Sequence, residues 1–535
     1  MIHITDNEGA AQAKYQIEMA LLKGASWQLA DGRSLLVALE RGSYEFNVEW
    51  GKLIFAWWDD ERSQSWNVTD YEIGAVELRL RAVRGLGRET AVFTLRDPAR
   101  QRMRQQLDAL PTAQRRSNYA AALTNLITGQ IVSARVLRVN VRGGRASSSA
   151  GPYARLVLNV GGEVVLALGV DAGEAQAEID SVVTAGLTWL AGFNQRRTGK
   201  QQAQQLWFCV PRGRSQTVVE RLTFIDVTHL VARAACFEVD EDCEELIAVR
   251  PATQGELLNA HPRELRWPRE MAVAGRWRER ILNLAPDLIE ARELVNRDAE
   301  SYAIHGLEFA RASGHERARV SFGVMNSEPE NQRRLMGAHG KHREHHLPTI
   351  LTEANFSELE GLVREIARHR CANPDDRRHP FYRLRAEAWL ESLLRRNISA
   401  LDLTLDERFV YSQIPTWRAD ERSVIDLLTV NHEGRLVVIE IKAAEDPDLP
   451  LQGLDYWLRV EQARGRGEFE QRGLFPGLTL DAEPPLLYLA APRLRFHRTF
   501  STVAHCLAPQ VEAYRLGLNA DWRGGVRLHT RERVN

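Results

Sequence analysis

The sequence is poor in cysteine, and its few cysteines form no recognisable metal or redox motif. It has five cysteines in 535 residues, namely Cys209, Cys236, Cys243, Cys371 and Cys506. Their number is odd, and none of them belongs to a C-x-x-C arrangement. This pattern argues against a zinc knuckle and predicts free thiols in a reducing, cytoplasmic compartment.

Long apolar runs and a targeting segment are also missing. No apolar run approaches the roughly 18 residues that a transmembrane helix needs. The first ten residues, MIHITDNEGA, are polar and charged. We therefore expect neither a membrane span nor a secretory signal.

The chain carries no excess of either charge. Lys and Arg total 70 against 71 Asp and Glu, so the formal net charge is −1. This composition does not support nucleic-acid binding by the whole chain, and any phosphate-binding surface has to be a local patch. The length and the 26% of charged residues indicate an ordinary globular protein with several domains.

What the sequence does contain is organised around residues 424–456. Asp426 is the one charged residue in the apolar run Val424–Val430, and Asn431–Gly434 has the composition of a tight turn. Leu436–Ile441 is apolar on both faces, which predicts a central, buried strand. A helix is expected to follow.

The end of the second strand carries a charge cluster. Glu440 and Lys442 are two residues apart and project from the same face, and a hairpin brings Asp426 beside them. Two carboxylates and the carbonyl of Ile441 are ligands suited to Mg²⁺ or Mn²⁺. Lys442 could then orient a water or stabilise charge on a phosphate.

This pattern resembles the PD-(D/E)xK nuclease superfamily, whose members have a restriction-endonuclease-like fold. The matching residues are Ile425 and Asp426, thirteen intervening residues, then Glu440, Ile441 and Lys442. Ile425 replaces the family's proline. Gln452 and Tyr456 follow with the Q-x-x-x-Y spacing of RecB-like members, and residues four apart share a helix face. The resemblance implies a nuclease domain over 376–535.

Two further parts of the expected nuclease domain are candidates for the site. The amphipathic stretch 382–396 carries Glu387 and Glu391 on one face, and many relatives supply an acidic residue from this helix; a solvated pair is the alternative. After the apolar segment PLLYLAAP come Arg493, Arg495 and Arg498. Their place at the carboxyl end of a strand predicts a phosphate-binding patch.

The remaining chain is divided into three predicted domains. Residues 1–100 read as a mainly-β domain, whose aromatic residues are interpreted as sheet core or, alternatively, as a stacking platform for single strands. These aromatics are Trp27, Phe46, Trp50, Phe55, Trp57, Trp58 and Trp66. Residues 256–375 read as a helical connector. Its histidine-rich segment, with His339, His342, His345 and His346, is interpreted as a solvated loop rather than a metal site.

Residues 101–255 look like a degenerate copy of the nuclease domain. Residues 153–190 repeat the order strand, glycine turn, apolar strand, acidic loop and helix found in residues 424–458. One alignment places Arg155, Leu168 and Val170 at the Asp426, Glu440 and Lys442 positions, with Ala185 for Gln452. The alternative is two unrelated α/β units that share generic strand patterns.

From these features we expect a multidomain α/β protein that hydrolyses phosphodiester bonds with Mg²⁺ or Mn²⁺. The substrate is expected to be nucleic acid, with DNA favoured, in a context such as bacterial defence or DNA repair. Asp426, Glu440, Lys442, Gln452, Tyr456 and Glu387 are the expected catalytic residues. The alternatives are a non-catalytic nucleic-acid-binding or assembly protein, and a nucleotide-regulated sensor.

Overall fold

The computed structural model divides into two compact units. One comprises Met1–Leu222 with Val227–Pro251, and the other Thr223–Asp226 with Ala252–Asn535. The structure describes residues 2–535 except 5, 23–26, 32–33, 40–41, 59–62, 74–76, 86–88, 98–111, 142–151, 231, 241–244, 261–264, 266, 268–274, 295–298, 315–318, 325–348 and 419–420. The division between the units falls close to the predicted domain boundary at residue 255.

The first unit begins with an antiparallel sheet of eight strands, which confirms the mainly-β prediction for this region. The strands are β1 (Ile2–His3), β2 (Trp27–Asp31), β3 (Ser34–Leu39), β4 (Tyr44–Glu49), β5 (Lys52–Trp58), β6 (Ser63–Ile73), β7 (Glu77–Arg84) and β8 (Glu89–Arg96). Their order is β3-β2-β8-β7-β6-β5-β4, with β1 beside β6. Along β7, Leu78 and Leu80 are buried while Arg79 and Arg81 face solvent, as period-two alternation requires.

Most aromatic side chains of this sheet belong to its core. Trp27, Phe46, Phe55, Trp57 and Trp66 are buried, so they are not available for stacking on bases. Trp50 and Trp58 are exposed. Helix α1 (Asn7–Leu22), which the sequence reading missed, buries Ala10, Ala13 and Ile17 in the same core.

The first unit also contains a mixed six-stranded sheet flanked by helices. Its order is β14-β13-β12-β11-β10-β9. The strands are β9 (Ala134–Asn140), β10 (Ala154–Val160), β11 (Glu163–Gly169), β12 (Ala203–Pro211), β13 (Arg233–Asp240) and β14 (Glu245–Val249). The helices are α2 (Thr112–Gln130), α3 (Gln176–Asp180), α4 (Val182–Asn194) and α5 (Gln216–Thr223). Helix α2 packs on β9 and β10, and α4 packs on β11 and β12.

The second unit opens with an antiparallel sheet where a helical connector was expected. After α6 (Gln254–Leu258) and α7 (Arg278–Leu282) come β15 (Ile289–Leu294), β16 (Ala299–Ile304), β17 (Leu307–Ser313), β18 (Arg319–Phe322) and β19 (Thr349–Ile350), in that order across the sheet. The helical prediction is wrong for residues 289–294. The apolar residues of this region are spaced three to four apart, as in a helix, but the segment pairs with β16 and forms a strand. Strands β17 and β18 pair antiparallel, with Ala310 opposite Phe322. The four histidines at 339, 342, 345 and 346 lie outside the described residues.

The rest of the second unit is a mixed six-stranded sheet with helices. The helices are α8 (Phe356–His369), α9 (Pro380–Arg383), α10 (Ala386–Arg396), α11 (Leu449–Gly465), α12 (Glu468–Gln471) and α13 (Phe500–Ala504). The strands, in spatial and chain order, are β20 (Tyr411–Arg418), β21 (Glu421–Val430), β22 (Leu436–Ile441), β23 (Leu486–Pro492), β24 (Ala513–Leu518) and β25 (Leu528–Arg533). All six residues of β22 are buried, because α10 packs on β21 and β22 and α11 packs on β22 and β23.

The two six-stranded sheets have the same topology. In each, a helix precedes three antiparallel strands, a second helix leads to two parallel strands, and an antiparallel strand closes the edge. The region 101–255, which the sequence predicts to repeat the order of elements of the C-terminal domain, therefore contains a mixed sheet with β11 inside it. Among the helices that the structure describes, none is long and apolar enough to cross a membrane.

Candidate active site

The β21–β22 hairpin brings the two predicted carboxylates together. Leu427 pairs with Ile439, so one step along each strand Asp426 stands across from Glu440. The carboxylate of Asp426 also accepts a hydrogen bond from the backbone N–H of Ile441 at 2.9 Å. The register of the hairpin therefore fixes all three expected metal ligands at one end of the buried strand.

Lys442 provides the positive charge beside this pair. Its Nζ lies 2.9 Å from Glu440 Oε1 and 3.9 Å from Asp446 Oδ2. Glu440 is buried, and its Oε2 has no hydrogen-bond partner in the part of the chain that the structure describes. A buried carboxylate oxygen without a partner is costly, so one ligand position of Glu440 is available to a cation.

The pKa shifts reflect this crowding. Burial of its carboxyl group, followed by the charge of Glu440, raises the pKa of Asp426 well above its usual range. Burial also raises the pKa of Glu440, although Lys442 opposes the shift. For Lys442, burial lowers the pKa, but Glu440, Glu387 and Asp426 outweigh burial and raise it. The lysine is therefore an ammonium ion at neutral pH.

Helix α10 places its two candidate glutamates differently. Glu391 is buried, and its carboxylate pairs with the guanidinium of Arg292 at 2.9 Å. Glu387 is exposed, yet it lies close enough to Glu440 and Lys442 to raise the pKa of both. The charge of Glu391 also contributes to the raised pKa of Asp426. Because the carboxylate of Glu391 is engaged by Arg292, Glu387 is the better candidate for the acidic residue that the helix contributes.

Helix α11 brings Gln452 and Tyr456 to the same end of the sheet. Gln452 donates to Asp446 Oδ2 at 3.4 Å, and the hydroxyl of Tyr456 lies 2.8 Å from that of Ser423. Burial, and after it the charge of Glu440, raises the pKa of Tyr456. Gln452 thus reaches Lys442 through Asp446 rather than directly. The sequence reading missed Asp446 because loop conformation is not encoded in strand or helix periodicity.

The donor set fits a hard divalent cation. Among the described residues, no group of three or more His, Cys, Asp and Glu side chains forms a closed metal cage. Asp426 and Glu440 nevertheless offer carboxylate oxygens, one of them unpartnered, and Mg²⁺ is commonly held by only one or two carboxylates with waters. Burial and, after it, repulsion from Glu440 raise the pKa of Asp426, and a cation would relieve this repulsion.

The predicted basic loop lies at the neighbouring strand end. Arg493, Arg495 and Arg498 are exposed just after β23, which runs parallel to β22. The backbone N–H of Lys442 donates to the carbonyl of Ala490 at 2.9 Å. The loop and the carboxylate cluster therefore share one edge of the sheet.

The fold and the site are the basis on which this chain can be classified. Neither the protein-family models, nor the curated proteins, nor the solved structures contain a match to this chain. The fold and the site define a multidomain α/β protein whose second unit carries two carboxylates and a lysine at the rim of a mixed sheet.

Proposed function

We propose that the second unit is a metal-dependent nuclease of the PD-(D/E)xK type, acting on phosphodiester bonds, with DNA as the favoured substrate. The observation that carries this proposal is the convergence of Asp426, Glu440 and Lys442 at the end of a buried strand. The order helix, three antiparallel strands, helix and parallel strand supports it, because it agrees with the fold that the motif implies.

Each residue has a distinct part in the proposed reaction. Asp426, Glu440 and the carbonyl of Ile441 hold the ion, which supplies polarisation of the phosphate and a lowered pKa for an attacking water. Lys442, fixed by Glu440, stabilises negative charge that develops on the phosphate.

The remaining residues position the substrate. Gln452 and Tyr456 border the cluster from α11, and Glu387 borders it from α10. The exposed Arg493, Arg495 and Arg498 contact backbone phosphates without reading sequence.

A cleavage assay tests this function. The full chain is incubated with labelled single- and double-stranded DNA and RNA in Mg²⁺, Mn²⁺ or EDTA. Metal-dependent cleavage that Glu440→Gln abolishes is expected, while Glu532→Gln, an exposed carboxylate on β25, leaves the rate unchanged. Binding without cleavage in either metal would instead support a non-catalytic nucleic-acid-binding protein.

A further inference from the structure

A cavity of about 810 Å³ opens beside the six-stranded sheet of the first unit. Its walls come from β9, β10, helix α4 and the segment that follows α4. The lining residues include Arg138, Arg155, Ala185, Trp189, Phe193 and Arg196. The volume lies within the range of small-molecule pockets.

The cavity is bordered by Arg155, whose place in the sheet corresponds to that of Asp426 in the second unit. Arg155 pairs with Leu168, as Asp426 stands opposite Glu440. The N–H of Val170 donates to Cys209 at 3.0 Å, as that of Lys442 donates to Ala490. The register of the two sheets is therefore the same at this edge.

The helices above the two sheets can be aligned by a glycine. A Cβ on Gly186 would lie 2.4 Å from Phe208, and one on Gly453 would lie 2.6 Å from Leu489. Both helices need glycine there because they approach the sheet closely. Counting from these glycines, Ala185 corresponds to Gln452.

The same count places Trp189 at the position of Tyr456. Three cavity residues, Arg155, Ala185 and Trp189, thus replace Asp426, Gln452 and Tyr456. At these positions the first unit has a guanidinium where the second unit has a carboxylate, and an indole where the second unit has a phenol.

The cavity wall is cationic. It includes four arginines and, within the described part of the chain, no carboxylate. Arg138 and Arg196 are exposed and form no ion pair with a described residue. Arg197 donates to the carbonyl of Phe193 at 2.9 Å. Guanidinium groups bind phosphate with paired, charge-assisted hydrogen bonds.

The wall also offers aromatic surface. Trp189 and Phe193 are four residues apart on α4 and therefore share a face. Both are half-buried. The guanidinium of Arg155 lies 5.8 Å from the Trp189 ring centroid, and that of Arg197 lies 3.6 Å from the Phe193 ring centroid. A nucleobase stacks well on such side chains.

We propose that this cavity is a second, metal-independent site that binds a nucleotide. Trp189 and Phe193 take the base, while Arg138, Arg155 and Arg196 take the phosphate. The ligand is a free nucleotide or a nucleotide of a strand, which present the same chemistry. The proposal does not depend on cleavage by the second unit.

Calorimetry in EDTA tests the proposal. The full chain with Asp426→Ala and Glu440→Ala is titrated with ATP, AMP, inorganic phosphate and a short oligothymidylate. We expect a nucleotide to bind and the pair Arg138→Glu and Arg196→Glu to weaken binding by at least about tenfold. Trp189→Leu should weaken the base-containing ligands by about tenfold. Arg135→Glu, an exposed arginine on β9 outside the wall, should change affinity by less than about twofold.

The ligands separate the possible results. Binding of ATP or AMP identifies a free-nucleotide site, and binding of the oligonucleotide alone, abolished in the charge-reversed variant, identifies a strand site. Both results support the proposal. Binding of phosphate as tight as that of AMP would overturn the nucleotide assignment. The proposal would also be overturned if no probe bound at about 1 mM, or if the charge-reversed variant bound as tightly as the parent.

Discussion

The ammonium group of Lys442 donates a hydrogen bond to Glu440 Oε1 at 2.9 Å. Both side chains leave the same face at the end of β22, and Asp426 lies across from Glu440 on the neighbouring strand. One lysine thus compensates two enclosed carboxyl groups when no cation is bound. Removing the lysine and removing a carboxylate should therefore have opposite effects on stability.

The first prediction concerns Lys442. Lys442→Met should abolish cleavage and destabilise the second unit by about 3 kcal/mol, because it leaves Glu440 buried without a compensating charge. Thermal unfolding without metal measures this destabilisation. Lys442→Met combined with Glu440→Gln should recover most of the stability, since the uncompensated charge is gone. If the double variant is as unstable as the single one, the destabilisation comes from packing and not from the ion pair.

The second prediction concerns Asp426. Its raised pKa means that the folded, metal-free state disfavours the ionised carboxylate. Asp426→Asn should consequently hold or raise the melting temperature in EDTA at neutral pH, while titration calorimetry should show that the variant no longer binds Mn²⁺. Glu532→Gln serves as the control that keeps binding. Equal Mn²⁺ binding by the wild type and by Asp426→Asn combined with Glu440→Gln would refute the assignment of the metal site.

The third prediction concerns the basic loop. Replacing Arg493, Arg495 and Arg498 by Ala should weaken DNA binding equally for all sequences. The slope of log affinity against log salt should become shallower by about one for each phosphate that the variant no longer neutralises. A matched triple variant at Arg319, Arg364 and Arg368, which are also exposed in the second unit, should leave the slope unchanged. If the loop variant has an unchanged slope of log affinity against log salt, the phosphate-binding surface lies elsewhere on the protein.

The elements that the sequence predicted best are those with strong local patterns. Residues 424–441 formed the expected hairpin because an apolar run, a turn with glycine and a second apolar run leave few alternatives. The repeated order of elements over residues 153–190 predicted the second mixed sheet for the same reason. The proposed alignment agrees with the register of the sheet at Arg155, which pairs with Leu168 as Asp426 stands opposite Glu440.

The features that the sequence missed depend on tertiary structure. Strand β15 has helix-like spacing, and only pairing with β16 reveals it as a strand. The partner of Glu391 is Arg292, 99 residues away in the chain. The arginine-lined cavity of the first unit is formed by residues of two strands, a helix and the segment after that helix. No short sequence motif therefore predicts it.

The final prediction concerns Arg370, a positioning residue below the helix that carries Glu387. Arg370 is 1% exposed, and its guanidinium donates to five backbone carbonyls, those of Ile304, His305, Phe381, Leu384 and Arg385. Burial lowers its pKa to about 9, so it remains charged at neutral pH. These bonds tie α9 and the start of α10 to the β16–β17 turn.

Arg370→Lys keeps the positive charge. The lysine ammonium has three N–H donors on one nitrogen, whereas the planar guanidinium of arginine has five. At least two carbonyls should be left without a partner, at about 1–3 kcal/mol each. We expect a clearly lower melting temperature and faster hydrogen exchange over residues 380–396, with slower cleavage because Glu387 is less well placed. Arg368→Lys is the matched control, since Arg368 is exposed and, among the residues that the structure describes, its side chain pairs with the exposed Asp375 alone. Exchange over 380–396 that is as slow in Arg370→Lys as in the wild type would show that the bonds to these carbonyls do not hold this helix.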